Sequence, residues 1–145
     1  MSNFGKKTFD ISEIDHVAQA LLQYFPEQRT FIFYGEMGAG KTTLIQALCR
    51  QLGIEAGGSP TYSIAHEYNN DATGTEVLHF DLFRINRVEE LDELGFDDYW
   101  QHHPAAYFFI EWPQIAESYL EKPYLAIQIE KKGKTTRTLV AQLLY

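Results

Sequence analysis

Residues Gly35-Glu36-Met37-Gly38-Ala39-Gly40-Lys41-Thr42 follow the pattern G-x-x-x-x-G-K-[ST], the residue types that hold a polyphosphate. Glycines let the backbone wrap close to phosphate and turn several N–H groups inward. A helix beginning where the loop ends adds the positive end of its dipole. Lys41 is placed to reach β- and γ-phosphate oxygens as a mobile point charge, and the Thr42 hydroxyl suits Mg²⁺. A chain of this size matches the pattern by accident about once in two hundred times, so the flanks decide. Before the loop, Thr30-Phe31-Ile32-Phe33-Tyr34 is a continuous apolar, β-favouring run, as for a strand covered on both faces. After it, Leu44, Ile45, Leu48 and Leu52 recur at helical spacing, and Gly53 offers a stop. The predicted nucleotide-binding segment is therefore Gly35 to Thr43.

The chain carries an internal control, because Gly-Lys-Thr-Thr recurs at Gly133 to Thr136. There Gln128 stands where the leading glycine belongs. The flanks Leu125–Ile129 and Thr138–Leu143 read as two strands joined by a polar turn. Lys131, Lys132, Lys134 and Arg137 are expected to form a solvated basic hairpin tip rather than a binding patch.

A nucleotide site also needs carboxylates near the metal and the attacking group, and these commonly emerge at strand ends beside the phosphate loop. Glu111 follows the apolar run Ala105–Ile110 and is assigned to the metal shell with Thr42. Asp81, near the end of another strand, is assigned to ordering water or a moving loop. Trp112-Pro113 puts a rigid aromatic beside Glu111, to stack on a ligand or simply to pack. His79 reads as a satisfied, half-buried histidine rather than a catalyst. His102-His103 lacks the cysteines or His-x-x-x-His spacing of a metal site.

The elements that must position these residues form an α/β pattern. Ser12-Glu13-Ile14-Asp15 looks like a helix cap, and Ile14, Val17, Ala18, Leu21, Leu22 and Phe25 repeat at helical spacing up to Pro26. Lys6–Phe9 reads as a short edge strand. Tyr62–Tyr68 and Glu76–Leu82 should pair antiparallel across the turn Asn69–Gly74, and helical stretches are expected at Val88–Leu94 and around Tyr99-Trp100-Gln101. The sum is a three-layer α/β fold with a mixed sheet, parallel around the phosphate loop and antiparallel beside it.

With 145 residues, 45% of them hydrophobic, and no linker-like stretch, the chain is expected to form one domain over residues 1–145. A net charge of −8 argues against unaided binding to a nucleic-acid backbone. No signal-peptide pattern or bilayer-length apolar run is present, and the one cysteine, Cys49, has no internal partner, so a cytoplasmic location without membrane contact is expected.

Taken in order, Gly35 to Thr43, Ser59-Pro60-Thr61-Tyr62, His79-Phe80-Asp81-Leu82-Phe83-Arg84, Leu94 to Tyr99 and Ile110-Glu111-Trp112-Pro113 make the chain resemble the bacterial TsaE family, also called YjeE, over nearly its whole length. The resemblance implies a small P-loop NTPase-like ATPase, using ATP with Mg²⁺ and releasing ADP. Such proteins are required to install the threonylcarbamoyl group on the adenosine next to the anticodon of tRNAs reading codons that begin with adenosine. It implies TsaD and TsaB as partners, with tRNA met only through them. It further implies phosphate and Mg²⁺ roles for Lys41 and Thr42, and a mobile, switch-like loop at Ser59, Pro60 and Thr61. Asp81 then matches the acid of an H-x-D-x-Y-R motif, and Glu111 and Trp112 the acid and aromatic of an I-E-W segment. The chain departs from the commonest pattern at Glu36, Tyr62, Phe83 and Gln114; Phe83 lacks the hydroxyl of the usual tyrosine.

Three functions compete on these residues. The first is an ATPase that cycles a tRNA-modification complex, slow alone because only Arg29, Arg50, Arg84, Arg87 and Arg137 could stabilise transferred phosphate. A nucleotide-gated adaptor, whose hydrolysis only resets binding, overlaps with it. A small-molecule kinase fits least, since no segment reads as an arginine-rich lid. The absence of Asn-Lys-x-Asp makes ATP the expected nucleotide rather than GTP; only Thr8-Phe9 and the hairpin around Lys132 suggest themselves as adenine contacts.

Overall fold

Phe31, Ile32 and Phe33 are apolar in succession, so a strand through them must be covered on both faces. In the computed structural model, which describes residues 3–56 and 65–145, all three are completely buried. The strands are β1 (Asn3–Asp10), β2 (Thr30–Tyr34), β3 (Ala65–Asn70), β4 (Thr75–Asp81), β5 (Tyr107–Glu111), β6 (Tyr124–Lys131) and β7 (Thr136–Leu144). The α-helices are α1 (Ile14–Tyr24), α2 (Lys41–Gln51), α3 (Glu89–Glu93) and α4 (Phe96–His102). All these strands join one sheet in the order β1-β7-β6-β2-β5-β4-β3. Its centre, β6-β2-β5-β4, is parallel, and the β1/β7, β7/β6 and β3/β4 pairs are antiparallel.

Side chains alternate across the strands and divide the core in two. Phe31, Phe33, Phe109, Leu125 and Ile127 pack beneath Val17 and Leu21 of α1 and Leu44 and Leu48 of α2. Ile32, Leu78, Phe80, Phe108 and Ile110 pack on the other face against Leu91, Phe96 and Ala116. Three layers result. Each fully buried large apolar side chain is worth about 1.5–3 kcal/mol over its exposed state, so these clusters fix the sheet on which the polar residues are mounted.

Local expectations shift in places. Ser12 does not cap α1, whose N-cap position is Glu13 without a side-chain cap bond. Asp10 instead caps the short turn leading into it, its Oδ2 accepting from Ser12 N–H at 2.9 Å while Glu13 Oε1 accepts from Asp10 N–H at 2.9 Å. The Ser12 hydroxyl donates to the same carboxylate at 2.6 Å, and a 3-10 turn, Ile11–Glu13, precedes α1. The edge strand β1 is longer than Lys6–Phe9 because it pairs along β7. Asn69 and Asn70 belong to β3 rather than to the turn, with Asn70↔Thr75 closing the ladder and the Asn70 side chain accepting from Ala72 N–H at 3.0 Å. β5 begins at Tyr107 and takes in Glu111, and α4 is longer than expected, starting after Gly95 at φ +68°. The part of the expected strand at Tyr62–Ile64 lies outside the described residues.

Candidate functional site

The parallel centre of the sheet brings three carboxyl-terminal strand ends together, the edge at which α/β sheets place ligands. Glu111 is in register with Phe33 of β2 on one side and with Asp81 of β4 on the other. β2 runs directly into the glycine-rich loop and α2. The loop requires its glycines individually. A Cβ on Gly35 would lie 2.7 Å from the Ile129 carbonyl oxygen of β6, and Gly38 and Gly40 adopt φ +81° and +112°. The Gly40 carbonyl accepts from Leu44 N–H at 2.9 Å, so α2 starts at the loop's last glycine.

Lys41, the first residue of α2, is buried although charged. Its Nζ donates to the Gly35 carbonyl at 2.5 Å and lies 3.3 Å from the centroid of the Trp112 ring. Burial pulls its pKa down, while the carboxylates of Glu111 and Asp81 pull it back up. Trp112 holds φ +55°, a rare backbone state for so bulky a residue, and its ring tilts against Phe83 at 4.9 Å. Thr42 Oγ1 donates to the Glu111 carboxylate, with both oxygens at 3.0 Å. Asp81 Oδ1 accepts from Phe83 N–H at 3.0 Å. Its pKa is raised, chiefly by burial and further by Glu111, against the lowering effect of that N–H and of His79 and Lys41.

A cavity of about 250 Å³ joins these groups, walled by the phosphate loop on one side and by Ile11, Asp81, Phe83, Glu111, Trp112 and Arg137 on the other. Gly38, Gly40, Lys41, Thr42, Thr43, Asp81, Glu111 and Trp112 all line it, while Gly35, Glu36 and Ala39 border a neighbouring recess against β6. Met37 lines both and is largely exposed. Ser59, Pro60 and Thr61 lie outside the described residues. A larger hollow, about 740 Å³, between α4 and the segment from Ser118 to Glu121, contains none of this chemistry.

Two residues matter here beyond what the sequence suggested. Arg137 is not part of a solvated tip; it is only 8% exposed. Its Nε donates to the Ala39 carbonyl of the phosphate loop at 2.9 Å, and Nη1 donates to the carbonyls of Gly133 (3.3 Å), Thr136 (3.2 Å) and Lys134 (3.4 Å). The alternation Arg137, Leu139, Ala141 on the buried face of β7 was the available signal. His79 is fully rather than half buried, and its Nε2 donates to Glu111 Oε2 at 2.6 Å. It shares a face of β4 with Asp81. The second Gly-Lys-Thr-Thr does form the β6–β7 turn, where Lys132 N–H donates to the Thr136 carbonyl at 2.9 Å.

Comparison with known proteins bears on most of the chain. The sequence model of the family described as "Threonylcarbamoyl adenosine biosynthesis protein TsaE" matches residues 8–139. A Haemophilus influenzae protein named tRNA threonylcarbamoyladenosine biosynthesis protein TsaE is 32% identical over 131 residues, covering 90% of this chain and 75% of the relative. A Synechocystis protein of the same name is 36% identical over 108 residues, covering 72% and 67%. The crystal structure of YdiB from Bacillus subtilis superposes with a TM-score of 0.68 at 25% identity, over 93% of this chain and 83% of that one. The expected P-loop NTPase-like α/β fold with a mixed sheet is thus found. Sheet, phosphate loop and sequence agree that the chain belongs to the TsaE family.

Proposed function

We propose that this protein is a Mg²⁺-dependent ATPase required for forming the N6-threonylcarbamoyl group on the adenosine adjacent to the anticodon in tRNAs reading codons that begin with adenosine. In this reading it drives or resets the TsaD–TsaB transferase complex and meets tRNA only through those partners. One observation carries the reading: Lys41, Thr42, Asp81 and Glu111 converge on a single cavity at the carboxyl ends of β2, β4 and β5. The backbone from Gly35 to Thr43 would hold the phosphates of ATP. Lys41 would leave the Gly35 carbonyl for the β- and γ-phosphate oxygens. Asp81, made more basic by burial, would order the attacking water.

The donors present suit Mg²⁺. A hydroxyl and a carboxylate in contact, with a second carboxylate in the same cavity, are hard oxygen ligands. Among the described residues no group of three or more His, Cys, Asp or Glu forms a metal cage. That suits an ion held by one or two protein oxygens, phosphate and water. Thr42 and Glu111 would hold it. Bound with ATP, Mg²⁺ would offset negative charge on the phosphates. Of the five arginines, Arg50 pairs with Asp15 at 2.7 Å, Arg87 with Glu90 at 3.7 Å and Arg29 stacks on Tyr107, while Arg137 lines the cavity with its Nε and Nη1 on carbonyls; turnover would be slow until a partner completes the site.

The test is reconstitution of tRNA threonylcarbamoylation with TsaD, TsaB, tRNA and threonylcarbamoyl-adenylate, followed by mass spectrometry of the modified nucleoside. Sustained product formation should require this protein and hydrolysable ATP. Equal product over many turnovers without it would refute the reading.

A further inference from the structure

Glu111 is held from two directions. Thr42 Oγ1 donates to it from α2, and His79 Nε2 donates to Oε2 from β4 at 2.6 Å, with His79 1% and Glu111 3% exposed. The strand register explains the reach. His79 pairs with Phe109 and Asp81 with Glu111, so His79 and Glu111 are diagonal neighbours on adjacent parallel strands. A carboxylate accepts hydrogen bonds, so Nε2 carries the proton of this bond. Among the described residues no group partners Nδ1, which leaves Glu111 as the polar contact that orients the ring. A glutamate side chain has three rotatable bonds; a buried donor fixed on a neighbouring strand removes the freedom that would let the carboxylate swing from Thr42.

We propose that His79 is the positioning residue of Glu111, donating from Nε2 to keep the carboxylate turned toward Thr42 and competent to hold the divalent cation of a bound nucleotide. This rests on the reading of Glu111 as an acid of the phosphate site. Outer hydrogen-bond partners of metal-binding groups typically change metal affinity by about 10- to 100-fold. The test uses Mn²⁺ as the probe for the Mg²⁺ position, titrated by electron paramagnetic resonance into the ADP-bound full-length protein, beside ADP affinity measured in chelator. His79→Phe should weaken Mn²⁺ about tenfold, with ADP affinity in chelator unchanged. His79→Gln, whose amide nitrogen can occupy the Nε2 position, should recover most of the loss, and His79→Asn, whose amide corresponds to Nδ1, should not. Glu111→Gln reports on the underlying reading. If Glu111→Gln weakens Mn²⁺ but His79→Phe and His79→Asn do not, the positioning role is wrong and the reading of Glu111 stands. If Glu111→Gln has no effect, both fall. Should His79→Phe fail to fold, judged by thermal melting, Gln and Asn decide: equal Mn²⁺ affinity in the two overturns the proposal.

Discussion

The ammonium of Lys41 lies 3.3 Å from the centre of the Trp112 indole while donating to the Gly35 carbonyl at 2.5 Å. Both contacts are made to the protein itself, and a phosphate drawing Lys41 into the cavity would have to replace them. Trp112 should therefore report nucleotide binding. With Trp100→Phe as background, leaving Trp112 the single tryptophan, ADP should change the emission. Lys41→Ala should also alter it without ligand and weaken ATP binding by about 10- to 100-fold, the scale of a hydrogen bond to a charged group. Unchanged ATP affinity in Lys41→Ala would remove the lysine from its assigned place.

Thr42 Oγ1 donates to both carboxylate oxygens of Glu111, on the metal side of the site. Losing that hydroxyl removes a group assigned to the cation and none of the backbone N–H groups assigned to phosphate. Thr42→Ala is expected to reduce Mg²⁺-dependent hydrolysis by at least about tenfold while leaving nucleotide affinity in chelator within about twofold. Equal loss of both would mean that the loop had collapsed.

Arg137 ties the phosphate loop to the β6–β7 turn through four backbone carbonyls. Removing the guanidinium takes the donor from the buried Ala39 carbonyl, at a cost of about 1–3 kcal/mol. Urea unfolding of Arg137→Ala should show a loss of this size together with weaker nucleotide binding, and Arg137→Lys should recover part of it by keeping a donor for Ala39. Parent-like stability and affinity in Arg137→Ala would contradict the tie.

Asp10 gives an acid-side prediction. Hydrogen bonds from the Ser12 hydroxyl, Ser12 N–H and Thr135 lower its pKa from 3.8 to about 2. A carboxylate whose folded pKa is depressed stabilises the fold above its unfolded value and loses that contribution as pH falls toward the folded one. The difference in melting temperature between parent and Asp10→Ala should shrink between about pH 4 and about pH 2. A difference independent of pH over that window would show that the cap acts without its charge.

How far the sequence carried the structure depends on whether the deciding interaction is local. The strand at Thr30–Tyr34, the loop and α2 were legible because apolar period and glycine spacing lie within a short window. Asp81 and Glu111 could be placed at strand ends, yet their pairing in register required knowing that β4 and β5 are neighbours. His79 looks half buried from its own strand, because one strand does not reveal that a carboxylate on the next will accept its hydrogen bond. Arg137 groups with the lysines of its hairpin in sequence, yet the hairpin folds it back over Gly40, where an added Cβ would lie 3.8 Å from its Nε. Ser12 matched a capping pattern, but Asp10 offers a stronger acceptor two residues earlier and takes the Ser12 hydroxyl as a donor.

The central claim is that this phosphate loop works an ATPase cycle that its partners complete. The most direct measurement is Mg²⁺-dependent hydrolysis of ATP and GTP by the purified protein, alone and with TsaB and TsaD from the same organism. The account predicts ATP-selective turnover, slow alone and rising with the partners. No hydrolysis in either condition, with ATP still bound, would contradict it and favour a nucleotide-gated adaptor.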